Sequence, residues 1–458
     1  MTVADRSVAL FQQWLSSGRE VAVVGLGKSG VAATLLLRDF GIPVYASDTG
    51  QGAPFANWAD ALGRAGAAVD IGHHDLERIA KAAAVVVAPG VPPGVPALEA
   101  ARRAGLAIYA EVDIGFLALR RTRCVGITGT NGKTTTTSLI AHVMSTGGFP
   151  TEAAGNIGLP LSEVARRPEP PPWLALELSS FQLHDAPHLK PVVGVVTNLA
   201  PNHLDRYHSL EEYYGDKARL FVNADAGSVW VTNADDPVLQ DMVRQVPGRH
   251  IRFSIKDKAD AWYDREKRRL MLRNSEVLPR VALPLLGDHN VANALAAALV
   301  AAELGAPVHR IAAGLQSFRA IPHRVEPVRE VDGILWINDS KSTNITSTEV
   351  AIAAVDRPFV LLLGGRHKGE PYTRLVTPLQ GRCRAVVAYG EAGPLILQDL
   401  GPSLKVVSAG SFDEVLSTAR RLARPGDAIL LSPACSSYDM FRNYEERGER
   451  FRSVVQSL

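Results

Sequence analysis

Cysteine is scarce in this chain: only Cys124, Cys383 and Cys435 occur in 458 residues, and they lie far apart. That excludes a disulfide framework and a cysteine-built metal site, and it fits a reducing compartment. Long hydrophobic runs are missing too. The alanine-rich stretch Ala294–Ala302 is interrupted by Glu303 and is too short to span a bilayer. The N-terminus, Met1 to Trp14, carries Asp5 and Arg6 and lacks the apolar centre of a signal peptide. Neither sign of charge dominates: the formal net charge is +2, so electrostatics give no case for nucleic acid as a partner. No internal repeat of 20–50 residues is evident. The expectation is a cytoplasmic protein without membrane insertion. Apolar content of 46% and charged content of 21% supply a full-sized core. The length suggests about three domains.

What is present is phosphate chemistry. Gly129-Thr130-Asn131-Gly132-Lys133-Thr134-Thr135 follows the apolar run Cys124–Thr128 and precedes a helix-like stretch from Thr136 to Met144. Strand, glycine loop and helix together build an anion site from loop amides and a helix N-terminus. Lys133 supplies charge to the outer phosphates, and a hydroxyl after it ligates Mg²⁺. The strict pattern asks for glycine at position 127, where Ile127 stands, so the loop is a variant. A second glycine loop, Gly25-Leu26-Gly27-Lys28-Ser29-Gly30, follows Val21–Val24, and Asp48 ends the next apolar run. This is the dinucleotide pattern, glycines for the turn and an acid for a ribose hydroxyl. A ligand-free βα turn satisfies it as well. Two phosphate loops in one chain suggest one nucleotide as fuel and another as part of a substrate.

Short β-branched runs alternate with alanine- and leucine-rich helical stretches. The runs are Val21–Val24, Val44–Ala46, Val85–Ala88, Ala107–Ala110, Cys124–Thr128, Leu174–Leu178, Val192–Thr197, Val229–Thr232, Ile334–Ile337, Val360–Leu363, Ala385–Ala388, Val406–Ser408 and Ile429–Leu431. The pattern predicts an α/β fold of βαβ units with parallel sheets, and more strands than one ordinary sheet holds. Boundaries are expected between Glu111 and Arg123 and near Ile321–Arg324. They give domains at 1–111, 112–321 and 322–458. Pro89–Pro96 and Arg166–Pro172 read as surface loops, and Asp257–Arg280 as short strands or a loop.

Polar clusters recur at the C-terminal ends of predicted strands, where open parallel sheets bind ligands. Glu177 ends one strand and opens Glu177–Leu183; Asn198–Tyr207, with His203, follows another. A glutamate and a histidine beside a phosphate loop suit Mg²⁺. His203 taken alone would read as structural, and Asn156 as a turn residue. Asn290 and Asn293 share one helical face, for capping and packing or for adenine recognition. Asn338–Asn344, Gly364–Gly369 and Ser432–Ser437 each follow a strand and would face one cleft, with lysines pointing to anionic ligands. Cys435 has no suggested histidine partner and reads as a buried thiol rather than a nucleophile.

In their order these segments resemble the Mur ligases of bacterial peptidoglycan synthesis. Gly129–Thr135, Glu177, Asn198–Tyr207, His289–Asn293, His323-Arg324 and Asn338–Asn344 match the family's landmarks across nearly the whole chain. Glu177–Leu183, Gly364–Gly369 and Ser432–Arg447 are similar to the member that adds D-glutamate. The resemblance implies a Rossmann-like N-terminal domain, a central P-loop-type ATP-binding domain and a C-terminal Rossmann-like domain. It also implies the roles that follow. ATP would sit on Gly129, Thr130, Asn131, Gly132, Lys133, Thr134 and Thr135, with Asn290, Asn293, Arg324, Asp339 and Lys341. Two Mg²⁺ ions would be held by Thr134, Glu177, His203 and Lys217, the last as a carbamate. Lys133, Glu177, His203 and Lys217 form the implied catalytic set. A UDP-linked muramoyl-alanine would be held by Gly27, Lys28, Ser29, Asp48 and Thr49, its reacting end near Asn156, Ser179 and His203. Thr343, Lys368, Ser437 and Tyr444 would take D-glutamate. Tyr444 stands where relatives carry phenylalanine, Asn202 where an acid is common, and Gly50 where an arginine would help hold the uracil. The implied reaction makes an amide bond at the expense of ATP, on a monomer. Rival readings are a sister Mur ligase or folylpolyglutamate synthase, a nicotinamide dehydrogenase, and a non-enzymatic nucleotide switch.

Overall fold

A computed structural model describes residues 3–202 and 206–458. Every strand read from the sequence is present, sorted into three sheets. The first runs Ala68–Ile71, Val44–Asp48, Val21–Val24, Ala84–Val87, Ile108–Ala110 and is parallel throughout. Val21–Val24 and Ala84–Val87 are buried on both faces, which explains their unbroken apolar runs. Strand order reverses between these two strands, and the crevice at such a reversal is where doubly wound sheets bind ligands.

The second sheet orders Ser275–Pro279, Arg269–Leu272, Ala261–Asp264, Arg249–Ser254, Val229–Asn233, Val193–Val196, Arg123–Thr128, Trp173–Glu177 and Thr151–Gly155. The segment expected as short strands or a loop is an antiparallel meander on this sheet's edge. Arg268 and Arg273 turn it with φ of 52° and 54°. The strand under the Gly129 loop lies between Trp173–Glu177 and Val193–Val196, so Glu177 and Thr197-Asn198 emerge on either side of that loop. The third sheet orders Glu326–Val331, Ile334–Asn338, Ala428–Leu431, Phe359–Gly364, Cys383–Tyr389 and Val406–Ser408, antiparallel only at the first pair. The three polar clusters predicted for one cleft therefore leave three neighbouring strands.

The chain divides into two compact units, Met1–Arg280 with Ala292–Gln316, and Val281–Val291 with Ser317–Leu458. The first two sheets share the first unit. Helix Glu111–Ala118, in the expected boundary, is clasped to the central part of that unit. Glu111 Oε1 accepts from Ser162 N at 2.6 Å, and the buried Asp113 carboxylate takes His188 N at 2.9 Å and His188 Nδ1 at 2.7 Å. In the second unit, helix Tyr444–Ser457 packs on the Trp336 side of its sheet, through Phe451 and Val455.

Candidate active site

The Gly129–Thr135 loop leads into helix Lys133–Thr146, entered through Gly132 in the left-handed region, φ 78°. Gly129 has φ 140°, and a Cβ there would lie 2.0 Å from Thr197 Oγ1, so no side chain fits. The loop is braced from the neighbouring strand's exit. Thr130 N donates to Asn198 O at 2.8 Å and Asn131 N to Asn198 Oδ1 at 3.0 Å. Thr197 Oγ1 donates to Asn131 O at 2.7 Å, and Ala200 N to Thr130 Oγ1 at 3.0 Å. Thr130 and Asn131 thus spend their amides on the brace, which shapes the loop ahead of the helix. Lys133 Nζ lies over the loop, donating to Gly129 O at 3.0 Å and Thr130 O at 2.9 Å. Asn293 Oδ1 accepts from Thr136 Oγ1 at 3.0 Å, just behind Gly132.

Glu177 is 2% exposed. Its Oε1 accepts from Asn156 Nδ2 at 2.8 Å, while Oε2 is buried without a hydrogen-bond partner among the described residues. A buried carboxylate oxygen left unsatisfied is costly unless a cation meets it. Lys217 is 1% exposed, donates from Nζ to Gly129 O at 2.8 Å and sits 4.6 Å from the Tyr213 ring centre. Burial, then the charge of Lys133, pushes its pKa down to about 6, so the neutral amine prevails at pH 7. An amine in that form has the lone pair that carbamate formation needs. His203 lies outside the described residues. Among those described, no group of three or more His, Cys, Asp or Glu is placed to hold a metal.

Ser179 caps helix Ser180–His184 in a capping box. Its Oγ accepts from Gln182 N, and Gln182 Oε1 takes Ser179 N at 3.0 Å. That box turns Gln182 inward: it is 1% exposed, with Nε2 unpartnered. Gln182 is a candidate that sequence reasoning missed. Its place three residues after a serine N-cap was the available signal.

A cavity of about 880 Å³ opens at the first sheet's switch point. Gly27, Lys28, Ser29, Asp48 and Thr49 line it, and Asn156 joins them from the Gly155–Gly158 turn. The expected uridine-side residues and Asn156, one of three expected at the reacting end, therefore share one cavity, whereas Ser179 does not line it. Asp48 accepts Leu26 N through Oδ2 and Gly50 N through Oδ1, both at 2.6 Å. Its carboxylate clasps two loops together. At Gly50 an added Cβ would meet the Phe55 ring at 2.2 Å, so Phe55 fills the space an arginine at position 50 would need. His73, His74 and Ala88–Pro92 line the cavity unforeseen. The strand before His73 is a half-exposed edge with no apolar run, and the proline-rich segment had read as a plain surface loop.

In the second unit the three strand-end turns interlock. Asp339 Oδ2 accepts from Ser432 Oγ at 2.7 Å and Oδ1 from Val325 N at 3.1 Å. Burial pushes its pKa up to about 6. Arg366 N and Ser436 O pair at 2.9 Å, and Ala434 N reaches Ser342 O at 3.0 Å. Lys368 Nζ donates to Thr343 Oγ1 at 3.2 Å, and Lys341 Nζ to Tyr444 OH at 3.0 Å, joining residues assigned to amino acid and to nucleotide. Ser437 is buried. Arg324 stands between two left-handed residues, His323 (φ 64°) and Val325 (φ 43°), a strained turn of the kind that marks functional sites. Asn290 donates to Leu286 O at 2.8 Å in this unit, whereas Asn293 belongs to the other.

Three family models match: "Mur ligase MurD-like, N-terminal domain" over residues 19–110, "Mur ligase middle domain" over 127–301, and "Mur ligase, glutamate ligase domain" over 323–435. The UDP-N-acetylmuramoylalanine–D-glutamate ligase of Myxococcus xanthus is 39% identical over 96% of this chain and 99% of its own length. The enzyme of the same name from Salinibacter ruber is 39% identical over 95% of this chain and 97% of its own. Among solved structures, UDP-N-acetylmuramate–alanine ligase MurC of Thermotoga maritima has a TM-score of 0.59 at 19% identity, covering 96% and 99%. MurF of Acinetobacter baumannii has a TM-score of 0.59 at 15% identity, covering 91% of each chain. These two likenesses concern the fold.

Proposed function

The chain belongs to the Mur ligase family, and from that premise we propose that it joins D-glutamate to UDP-N-acetylmuramoyl-L-alanine, with ATP cleaved to ADP and phosphate, in peptidoglycan precursor synthesis. The observation that carries this reading is the match, over nearly the full length of both chains, to ligases named for that reaction. We assign the substrate-binding, ATP-binding and amino-acid-binding domains to 1–111, 112–321 and 322–458. Each holds one of the three sheets. The reaction belongs in the cytoplasm, where ATP is supplied. Among the described residues no helix is long and apolar enough to cross a membrane.

A carboxylate is a poor acyl donor, so the L-alanine carboxylate oxygen attacks the γ-phosphorus of ATP and ADP leaves. Lys133, held at the loop's mouth, neutralises charge that develops on the phosphoryl oxygens. The unsatisfied Glu177 Oε2 fits a Mg²⁺ site, which Glu177, Thr134 and His203 would hold with Lys217 as a carbamate. Mg²⁺ there would supply positive charge to the phosphates. Asn156 orients Glu177 and lines the substrate cavity, so it links metal ligand and acyl group. The neutral amine of D-glutamate then attacks the acyl-phosphate carbon. The tetrahedral intermediate expels phosphate, and the former amine gives up its proton as the amide forms. Asn290, Asn293, Arg324, Asp339 and Lys341 would hold the nucleotide. Thr343, Lys368, Ser437 and Tyr444 would hold the D-glutamate carboxylates.

Phosphate release from ATP by the purified chain with UDP-N-acetylmuramoyl-L-alanine tests this, adding D-glutamate, L-glutamate, L-lysine or meso-diaminopimelate in turn. Release with D-glutamate alone is expected. Release with a different amino acid would move the chain to a sister activity, and release with none would refute the ligase reading.

A further inference from the structure

The residues assigned to D-glutamate hang from turns of the second unit, and one side chain with no assigned role ties those turns together. Arg447, in the first turn of helix Tyr444–Ser457, is 0% exposed. Its Nε donates to Ser340 Oγ at 2.9 Å and its Nη2 to Ser340 O at 2.8 Å. Nη1 and Nη2 both reach Cys435 O at 3.3 Å. Ser340 Oγ in turn donates to Tyr444 O at 2.8 Å. The third turn rests on the same group, since a Cβ on Gly365 would come within 3.3 Å of Nη1.

The placement is unfavourable taken by itself. A fully buried guanidinium is costly without a carboxylate, and among the described residues none is hydrogen-bonded or ion-paired to it. The first turn of a helix is also the end that disfavours a cation. What arginine offers here is a rigid planar fork that grips two turns at once, which neither lysine nor an apolar residue supplies. The turns it grips are informative: Ser340 separates Asp339 from Lys341, and Cys435 precedes Ser436-Ser437.

We propose that Arg447 is a positioning residue of the amino-acid site. Its guanidinium holds the Asp339–Lys341 turn and the Cys435–Ser437 turn at a fixed separation. Ser437 and Tyr444, which would take D-glutamate, then stay in register with Asp339 and Lys341, which would take the nucleotide. Its buried charge also adds positive potential beneath a ligand with two carboxylates. The inference rests on the D-glutamate reading given above.

Steady-state kinetics of R447K in the full chain, with each substrate varied, test it. Lysine keeps the charge and loses the two-turn grip. The KM for D-glutamate should rise about tenfold or more, while that for the UDP-linked substrate, whose cavity lies in the first unit, stays within about twofold. Partial unfolding would lower kcat and leave both KM values where they were. S340A, which removes the Nε acceptor, should raise the KM for D-glutamate by less. The double variant should then be no worse than R447K, as for two members of one contact. An unchanged KM for D-glutamate in R447K overturns the proposal; should R447K not fold, the same result in S340A does so. A wild-type chain that D-glutamate fails to stimulate defeats the site reading and the inference with it. A D-glutamate-dependent wild type with an unmoved R447K defeats the inference alone.

Discussion

Lys217 sits where its charge is disfavoured, nearly sealed from water and close to the charge of Lys133. A neutral amine there, donating to Gly129 O, is placed to become a carboxylate-like carbamate beside the phosphate loop. Lys217→Ala should lose on the order of a hundredfold in ligase turnover or more, and millimolar formate or acetate should restore part of it. An undiminished alanine variant would end the metal-orienting role. Glu111 is a buried acid of a different kind. Burial pushes its pKa up to about 7, and its Oε2 has no partner. The folded state therefore holds a proton that the unfolded chain releases nearer pH 4.5, so stability falls as pH rises from about 4.5 to about 7 and is then level. The loss corresponds to about 3 kcal/mol. Glu111→Gln keeps an acceptor for Ser162 N and removes the charge. It should melt higher than wild type at pH 8, the advantage fading below pH 5; equal melting temperatures at pH 8 would refute the argument.

Helix Ser180–His184 is only five residues long, too short to persist on propensity. Its capping box and its packing maintain it, and it carries Gln182 into the protein. Ser179→Ala should therefore cost about 1 kcal/mol, read as a lower denaturant midpoint. An unchanged midpoint would mean that Ser179 serves the substrate rather than the helix. Other elements escaped the sequence for a shared reason. Ala68–Ile71, Thr151–Gly155 and Glu326–Val331 lie at sheet edges, half-exposed, so no apolar run marks them. Buried central strands such as Val21–Val24 and Phe359–Gly364 announce themselves by the opposite property.

At the scale of the molecule, the chain is two compact units, the second built from Val281–Val291 and Ser317–Leu458, segments apart in sequence. Helix Asp288–Glu303 starts in one unit and continues in the other. Each unit has its own apolar clusters, so unfolding should not be a single two-state event. Differential scanning calorimetry should give a calorimetric enthalpy larger than the van't Hoff value. A ratio of one would show that the units unfold as a single cooperative body.

The sequence alone was enough for the α/β class, most of the central strands, the two glycine loops and the family, because these depend on local matters. Burial on both faces demands a run of apolar residues, and a phosphate turn demands glycine and a lysine at set positions. It could not reveal that Asp48 clasps Leu26 and Gly50, that Glu177 Oε2 is left unsatisfied, that Lys217 is stripped of water, or that Arg447 grips two distant turns. Those properties belong to groups brought together from far along the chain. Solvation, charge and hydrogen bonding are set by spatial neighbours, and only the tertiary structure chooses them.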